Sequence, residues 1–452
     1  MKAFNINVII CIALLTGCRC SSAQTIKMRT FEVKKYGAKG NGITDDYISI
    51  QNCINEALKV KSAKIVFAPG IYRISKGLVA HYIDNDLEII GVARNNINPT
   101  IVCSSPVSVL AIRGYLEPKS IGTIKVKKIN IKGKFGDYPF SSSNPFVNKS
   151  GWYYGLAITD KRTALVEEVN VSNIYGNGIY ISTTKQLDIA LESRFENVDI
   201  RNCQIVNCWG YNPKLDNYGD GLYISNVSAA LLKNNVIINN FIQTKQLGRS
   251  GIVVEFMAEK CNISNNKIFG YDRGIHIEAD YGGHTVTEND ISGSDMGIVL
   301  FNEVIEGHNN PVKITGNVIS NFGLPKSNDL KRTRDITAIS DRSLLNFVAE
   351  NGAREGSVIK GNIFTVYGSY DYFSNAIVNI KSDGLIISDN IYRVNNSKDL
   401  KYSIKYFNYS NSFPTNDTFN GVSIIQFKKN RVKANLFIEK NNKMNGTKVE
   451  IN

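Results

Sequence analysis

The chain has 452 residues, of which 43% are hydrophobic and 21% are charged, and it contains 36 glycines. This composition excludes an intrinsically disordered chain and is typical of a strand-rich protein with many turns. The net charge of +13 favours polyanionic partners, but the basic residues form neither a basic helix nor an RNA-binding motif. We therefore expect an acidic glycan, and not nucleic acid, as the partner, and a solvated basic surface without such a partner is the competing interpretation.

Residues 1–23 have the features of an export leader. A basic residue precedes an apolar run over residues 8–15, which is too short to span a membrane. The sequence LTGC that ends at Cys18 resembles the lipobox of bacterial lipoproteins, and a second cleavage site follows Ala23. We expect an exported protein that is held in the cell envelope by a lipid on Cys18, or that is secreted after cleavage at Ala23. No later segment is apolar enough to span a bilayer, so the lipid is the expected membrane contact.

The cysteines that follow the leader predict neither disulfides nor a zinc site. They are Cys53, Cys103, Cys203, Cys208 and Cys261. Their number is odd, they are scattered, and they form no Cys-x-x-Cys pair. We expect them to be buried as small apolar side chains.

Residues 31–74 form a distinct pattern. The sequence FEVKKYGAKGNG from Phe31 is followed by Asp45-Asp46, by an Ile-Gln pair at 50–51, and by PGIY ending at Tyr72. A helix through about Leu58, capped by Thr44 or Asp45, is predicted because apolar residues repeat at helical spacing. Its apolar face comprises Tyr47, Ile50, Ile54 and Leu58. Such a helix would cover the open end of a stack of strands.

A six-residue motif recurs through the centre of the chain. Each copy is a glycine followed by two apolar positions that are separated by one variable position. The copies are GLAITD from Gly155, GIYIST from Gly178, GLYISN from Gly221, GIVVEF from Gly251, GIHIEA from Gly274 and GIVLFN from Gly297. The period of two predicts short strands, with Ile252 and Val254 facing the core and Val253 and Glu255 facing outward.

A second series places an asparagine two residues before an apolar or aromatic residue. Its members are Asn235, Asn266, Asn289, Asn317, Asn362, Asn390 and Asn430. Asparagine tolerates left-handed backbone and can bond to its counterpart on the next coil, so the series predicts an internal asparagine ladder. Strands this short cannot bury a core alone, and they are therefore expected to stack coil upon coil.

The opening pattern YGAKGNGITDD, IQ and PGIY resembles the start of the pectate-lyase-like superfamily, in particular its rhamnogalacturonase/epimerase-type and polygalacturonase-related members. The resemblance implies an all-β fold, a right-handed parallel β-helix, which commonly acts on polysaccharides. The same opening also heads phage tailspikes, so it specifies the fold better than the reaction.

Polygalacturonases carry Asn-Thr-Asp, Asp-Asp, Gly-His-Gly and Arg-Ile-Lys motifs in their central coils, and this sequence lacks that set. Its Asp45-Asp46 lies in the amino-terminal pattern, and its Gly283-His284 is followed by threonine. No catalytic residue is therefore transferred from that family.

The repeats predict a single β-helix domain over residues 24–440, which begins with the amino-terminal pattern at 31–74. Residues 324–356 contain a charged run within a longer polar stretch and are predicted to form a long loop. The repeat weakens towards the end of the chain, and residues 441–452 are expected to fray.

Alignment of the glycine motifs places Glu255 and Glu278 on successive coils in one outward column. Adjacent strands lie about 4.8 Å apart, so the two carboxylates are expected within roughly 4 to 7 Å of each other. Like charges at this distance should raise the pKa of one of them. A glycosidase uses such a pair, one group as the acid and the other as nucleophile or base. A surface pair neutralised by Arg249 and Arg273 is the competing interpretation.

Polar and aromatic residues near this pair are the predicted substrate-binding group. They are Asp220, Tyr223, Arg249, Arg273, His276, Asp280 and His284. Arginine suits a carboxylate or sulfate of the substrate, and tyrosine can stack on a sugar ring. No spacing typical of metal ligands stands out, so no metal site is predicted.

Three functions remain open from the sequence. A glycoside hydrolase would use Glu255 and Glu278 and need no cofactor. A polysaccharide lyase would remove the proton next to a uronate carboxylate, and Ca²⁺ would be a suitable cofactor for it. A glycan-binding solenoid would bind the same polysaccharide without turnover. The hydrolase is our first expectation, and the oligomeric state is left open.

Overall fold

A computed structural model of the chain describes residues 28–451 with internal gaps. The residues outside the described ranges are 1–27, 118, 135–152, 188, 212–216, 242–246, 302–309, 325–342, 349–353, 368–375, 383, 396–402, 408–414, 421, 423, 429–440, 445–447 and 452. The leader and Cys18 therefore lie outside the described part of the chain. Within the described part, no helix is both long and apolar enough to cross a membrane.

The fold is a right-handed parallel β-helix, and most coils add one strand to each of three sheets. In the described part of the chain the first sheet has 12 strands. They are Arg29–Glu32, Ser62–Phe67, Asp86–Gly91, Thr123–Lys127, Thr163–Glu167, Asn197–Arg201, Ala230–Lys233, Cys261–Ser264, Thr285–Thr287, Lys313–Thr315, Val358–Lys360 and Ile386–Ser388.

The second and third sheets are joined by the long strand Asn170–Ser182, which takes part in both. The other strands of the second sheet are Asn41–Asp45, Ile71–Ile74, Thr100–Cys103, Asn130–Lys132, Gln204–Tyr211, Val236–Ile238, Lys267–Phe269, Asp290–Ser292, Val318–Ser320, Ile363–Tyr367, Ile391–Asn395, Thr418–Asn420 and Lys443–Met444. The other strands of the third sheet are Leu78–Ala80, Leu110–Arg113, Tyr153–Thr159, Leu222–Ser225, Gly248–Glu255, Tyr271–Glu278, Met296–Phe301, Leu345–Val348, Ala376–Lys381, Ser403–Phe407, Ile424–Lys428 and Lys448–Ile451. A short strand, Asn217–Tyr218, pairs antiparallel with Gln204–Tyr211.

The core runs along the axis of the stack and is built from the inward residue of each strand. In the third sheet Ile252 pairs with Ile275, and Ile275 pairs with Ile298, in a parallel register. All three side chains are fully buried, as is Val254 on the same inward face. The inward and outward assignment predicted for the Gly251 motif is therefore confirmed.

The recurring glycine has a steric reason. At Gly251 a Cβ atom would lie 2.4 Å from Cγ2 of Ile268, which belongs to the second sheet. It would also lie 2.7 Å from the carbonyl oxygen of Gly274 on the next coil. Both distances are far below van der Waals contact, so any side chain here would force the two sheets apart.

The asparagine ladder is present. Asn266 donates from its backbone and its side chain to Oδ1 of Asn289, at 3.0 and 2.9 Å, and the same pair of bonds recurs along the column. The described rungs are Asn235, Asn266, Asn289, Asn317, Asn362 and Asn390. After Asn390 the next rung is Asp417, which the predicted series did not contain, and the predicted member Asn430 lies outside the described residues.

The predicted capping helix is confirmed as Tyr47–Ala57, with Leu58 at its carboxyl end. Short 3₁₀ turns are present at Val33–Tyr36 and Leu191–Ser193. The helix buries Ile50, Cys53, Ile54 and Ala57 against the first coil. Its first cap residue is Asp46 and not the predicted Thr44 or Asp45, although Asp45 still accepts the backbone N–H of Tyr47 at 3.1 Å.

Two other local predictions need correction. The strand Leu345–Val348 falls inside the predicted loop 324–356, most of whose other residues lie outside the described ranges. The predicted fraying of 441–452 is wrong for Lys443–Met444 and Lys448–Ile451, which pair in parallel with the preceding coil. The five cysteines are buried and unpaired, as predicted.

Candidate active site

The two predicted carboxylates stand on neighbouring strands of the third sheet. Glu255 ends the strand Gly248–Glu255, Glu278 ends Tyr271–Glu278, and the two residues are register partners. The glycine-motif alignment therefore placed them correctly. Glu255 is only 9% exposed, so the interpretation of this pair as exposed surface carboxylates is wrong for Glu255.

His276 lies between the two carboxylates. Its Nε2 atom is 2.6 Å from Oε2 of Glu278 and 3.6 Å from Oε1 of Glu255. Its Nδ1 atom is 3.3 Å from Nη1 of Arg273. Because an ionised carboxylate can only accept, the Nε2 atom carries a proton and donates it to Glu278.

This hydrogen bond favours the ionised form of Glu278. The bond from His276 holds the pKa of Glu278 below its ordinary value, and the charges of Arg273 and Arg249 lower it further, although burial opposes them. The rise in pKa expected from two stacked carboxylates is therefore not found at Glu278. Sequence reasoning missed the effect because it had no means of placing His276 within bonding distance.

A pocket of about 330 Å³ opens in front of Glu255. It is lined by Tyr154, Tyr180, Gln186, Tyr223, Arg249, Glu255 and Phe256. The rings of Tyr180 and Tyr223 stack with centroids 4.9 Å apart, and Tyr154 packs against Tyr180 at 4.6 Å with its ring tilted by 40°. The pocket therefore presents aromatic surface next to a carboxylate.

Tyr223 connects the tyrosine stack to the carboxylate pair. Its hydroxyl donates to Oε2 of Glu255 at 2.9 Å and accepts from Nε2 of Gln186 at 3.0 Å. Burial raises the pKa of Tyr223 well above its ordinary value, and the negative charge of Glu255 raises it further. Tyr223 is therefore a neutral donor that orients Glu255.

Arg249 is positioned by Asp220. Two parallel bonds of 2.8 and 2.7 Å run from the Nε and Nη2 atoms of Arg249 to the two oxygens of the fully buried Asp220. Such a two-point pair fixes the plane of the guanidinium. Arg249 is thereby held as part of the pocket wall, as the predicted substrate-binding role requires.

Asp280 and His284 do not join this group, and their prediction as substrate-binding residues is wrong. Both side chains are completely buried. Asp280 accepts from His284 at 2.7 Å and from Arg354 at 2.6 Å, and His284 also accepts the backbone N–H of Cys261. These bonds satisfy a buried network between coils and leave no surface for a sugar.

The sequence reasoning also missed four residues of the pocket: Tyr154, Tyr180, Gln186 and Phe256. Tyr180 is the register partner of Tyr223, so the column alignment contained the signal for it. Gln186 and Phe256 lie in turns, whose course the strand pattern does not determine. Turn residues are therefore part of the pocket wall that the sequence did not predict.

The residues could also hold a cation. One oxygen of Glu255, one oxygen of Glu278 and one ring nitrogen of His276 all lie within 4.8 Å of one another. Two carboxylates and an imidazole are a donor set that divalent metals accept. The same atoms therefore suit either a metal or a proton-transferring pair.

Comparison with known proteins agrees with the fold. Residues 140–323 match the family described as a right-handed beta helix region, and no curated protein sequence matches the chain. The A-module of the mannuronan C-5 epimerase AlgE6 of Azotobacter vinelandii is 16% identical with a TM-score of 0.50, covering 93% of this chain and 99% of its own. DFA-IIIase of Arthrobacter chlorophenolicus A6, in complex with DFA-III, is 11% identical with a TM-score of 0.51, covering 94% and 98%.

An N-terminal fragment of bacteriophage phi29 gene product 12 has a TM-score of 0.57 at 14% identity, over 88% of this chain and 68% of the fragment. At such identities the likeness concerns the fold. The chain therefore has the right-handed parallel β-helix fold, the fold that its opening pattern predicts.

Proposed function

We propose that this protein is an exported glycoside hydrolase that cleaves a polysaccharide or oligosaccharide with Glu255 and Glu278 as its catalytic carboxylates. The observation that carries the proposal is the spacing of this pair, with carboxylate oxygens within 4.8 Å at the edge of an aromatic pocket. Carboxyl groups about 5 Å apart are typical of retaining glycosidases, whereas inverting enzymes need a wider gap for water.

Glu278 suits the role of nucleophile because His276 keeps it ionised. It would attack the anomeric carbon and form a covalent glycosyl intermediate, while the bond to the leaving oxygen breaks. Glu255, in its protonated form, would give a proton to that oxygen, and the resulting carboxylate would then take a proton from the water that releases the sugar. The hydroxyl of Tyr223 and the ring of His276 hold the two carboxylates in place.

The pocket suits a carbohydrate. A stack of tyrosine edges and hydroxyls offers both apolar contact and hydrogen bonds to a sugar. Arg249 adds a positive charge at the same wall, and the whole chain carries +13, so an acidic sugar is the favoured substrate class.

A lyase is the second candidate, favoured by Tyr223 and Arg249 standing beside Glu255 in one pocket. Arg249 would neutralise a uronate carboxylate, and Glu255 or Tyr223 would take the neighbouring proton. The mannuronan C-5 epimerases among the similar folds act at that carbon of a uronate. In this case Ca²⁺ between Glu255 and Glu278 would be a suitable cofactor.

The test is to incubate the mature protein with acidic and neutral polysaccharides from plants, animal hosts and bacteria. New reducing ends and the absorbance of unsaturated uronates are recorded together. We expect reducing ends without that absorbance. Glu255→Gln and Glu278→Gln should each lower the rate by roughly a thousandfold or more, because each removes a proton-transferring or nucleophilic group.

Glu288→Gln is the matched control, since Glu288 is exposed on a neighbouring turn, and it should leave the rate unchanged. Reducing ends accompanied by the unsaturated product would contradict hydrolysis and establish the lyase. Binding of a polysaccharide without either signal would contradict both enzymes and favour the glycan-binding solenoid.

A further inference from the structure

A turn over residues 183–187 borders the pocket in front of Glu255. It follows the strand Asn170–Ser182, and its Gln186 lines the pocket and donates to the hydroxyl of Tyr223 at 3.0 Å. Leu187 at the end of the turn is exposed, so the outer side of the turn faces solvent. The turn therefore forms a wall between the pocket and the solvent.

This turn is held from both neighbouring coils. On the following coil, Nδ2 of Asn226 donates to Oγ1 of Thr183 at 2.7 Å and to two carbonyl oxygens of the turn at 3.4 and 3.3 Å. Asn226 is fully buried and has φ 53°, a left-handed conformation that asparagine tolerates. On the preceding coil, Asp160 accepts the backbone N–H of Thr184 at 2.7 Å. The wall is thus a fixed part of the site.

The turn covers the sheet on the coils that precede Glu255. Ser225 is the register partner of Glu255, and its hydroxyl bonds to that of Ser182 one coil earlier. Both serines are fully buried although they face outward. Ala157, the register partner of Tyr180 on the preceding coil, is also only 5% exposed. Both outward columns of the third sheet are therefore closed before the pocket, and a glycan cannot lie across them.

The opposite side of the carboxylate pair is more open. The side chain of Glu278 is 32% exposed, whereas that of Glu255 is 11% exposed. The pocket volume of about 330 Å³ is the space of about eleven water molecules at ~30 Å³ each. That is close to the size of one sugar ring with its substituents. The carboxylate pair therefore stands at the mouth of a pocket for one sugar unit.

We propose that the protein acts at the end of a glycan, with the terminal sugar in this pocket and the rest of the chain leaving past Glu278. This inference rests on the proposed function. The turn 183–187 stops the chain after one unit, so the bond next to that unit is the one presented to Glu255 and Glu278. The substrate class is an oligosaccharide or polysaccharide with a free end, which is shortened by one unit at a time. Bonds inside a chain are not cleaved, because the chain cannot pass the turn.

The experiment measures binding to the Glu278→Gln protein, which keeps the pocket and the turn. The probes are octasaccharides of galacturonate, mannuronate and xylose, each unlabelled or carrying a bulky fluorophore at one end, at the other end or at both, titrated by calorimetry. We expect one of the two singly labelled forms to bind like the unlabelled chain, since its free end enters the pocket. The doubly labelled form should bind at least roughly tenfold more weakly, because neither end fits.

Asn226→Asp, added to the Glu278→Gln protein, should open the pocket. Aspartate tolerates the left-handed backbone, but its ionised carboxylate cannot donate to the turn. The doubly labelled chain should then bind within about threefold of the unlabelled chain. Asn234→Asp is the matched control, because Asn234 also has left-handed backbone, with φ 57°, but is exposed and bonds to Asn202. It should leave the effect of the labels unchanged.

Equal affinity of the doubly labelled and unlabelled chains would overturn the proposal, as would the absence of binding by every series. This comparison of labels does not depend on the Asn226 variant. Cleavage of the same chains by the wild-type protein separates the two proposals. Binding that needs a free end, without cleavage, would retain the terminal pocket and refute the hydrolase. Cleavage of doubly labelled chains into fragments of intermediate length would retain the hydrolase and refute the terminal pocket.

Discussion

His276 offsets the repulsion between Glu255 and Glu278 at the centre of the site. Two glutamates on adjacent strands repel each other, which destabilises a sheet. The imidazole places its Nε2 proton between them, 2.6 Å from Glu278 and 3.6 Å from Glu255. It thereby lets one carboxylate stay ionised next to another, so the two groups are available for different roles.

Removing His276 should change the pH dependence of catalysis. The hydrogen bond lowers the pKa of Glu278, so the nucleophile stays ionised into more acidic solution. In His276→Ala that pKa rises, and the acidic limb of the kcat/KM profile should move to higher pH. Val299→Ala is the control, because Val299 is the register partner of His276 and is also buried, but it carries no proton. An unchanged acidic limb in His276→Ala would contradict this role.

The sequence allowed the positions of Glu255 and Glu278 to be predicted because both occupy the fifth position of a glycine motif of constant length. It did not allow their bonding partners to be predicted. His276 shares the outward face with Glu278 at a spacing of two, but its bond depends on side-chain rotation, which the strand pattern does not determine. The same limit explains why Asp280 and His284, close in sequence, were wrongly placed at the pocket.

The asparagine ladder is the element that joins successive coils at one turn. Each internal rung donates to the next coil and to the carbonyl of the coil before it, as Asn289 does to Asn317 and Ile263 at 2.9 Å each. Asp417 breaks the series, because it occupies the rung after Asn390 but carries a carboxyl group. Burial raises the pKa of Asp417 to about 7.

Replacing Asp417 with asparagine should stabilise the protein in neutral and alkaline solution. The folded-state pKa of about 7 is above the ordinary value of 3.8, so the stability of the wild type is full below about pH 4 and is lost as the pH rises through 7. The difference corresponds to roughly 4 kcal/mol. The free energy of unfolding, measured in urea across this range, should fall with pH in the wild type and much less in Asp417→Asn.

Asp290→Asn is the control for this measurement, since Asp290 is exposed on the second sheet, and it should retain the pH dependence of the wild type. Equal stability of Asp417→Asn and the wild type in alkaline solution would contradict the account of this rung.

The strands were predictable where the motif was intact, and less so towards the carboxyl end. The Gly251, Gly274 and Gly297 motifs gave the correct faces and register because a glycine and two apolar residues recur at fixed spacing. Beyond Asn390 the ladder residue changes to aspartate, so a search for asparagine passed over Asp417 and selected Asn430 instead. The side chain at this rung is a carboxyl group and not an amide, although the rung occupies the same position in the coil.

The stacking of coils brings the residues of the candidate active site together. Because each strand lies one coil above the last, the third sheet repeats its outward residues at the strand spacing, and the register partners Tyr180 and Tyr223 stack for this reason. The same repetition sets the distance between Glu255 and Glu278. The reaction geometry is thus a consequence of the fold, which brings the two carboxylates closer than an inverting mechanism requires.

The most direct test of this account is the configuration of the sugar that is released. With a polysaccharide that the protein cleaves, proton NMR of the first product, recorded before the anomers interconvert, distinguishes retention from inversion. The close spacing of Glu255 and Glu278 predicts that the anomeric configuration of the substrate is retained. Inversion would contradict the role of Glu278 as nucleophile and would refute the central claim.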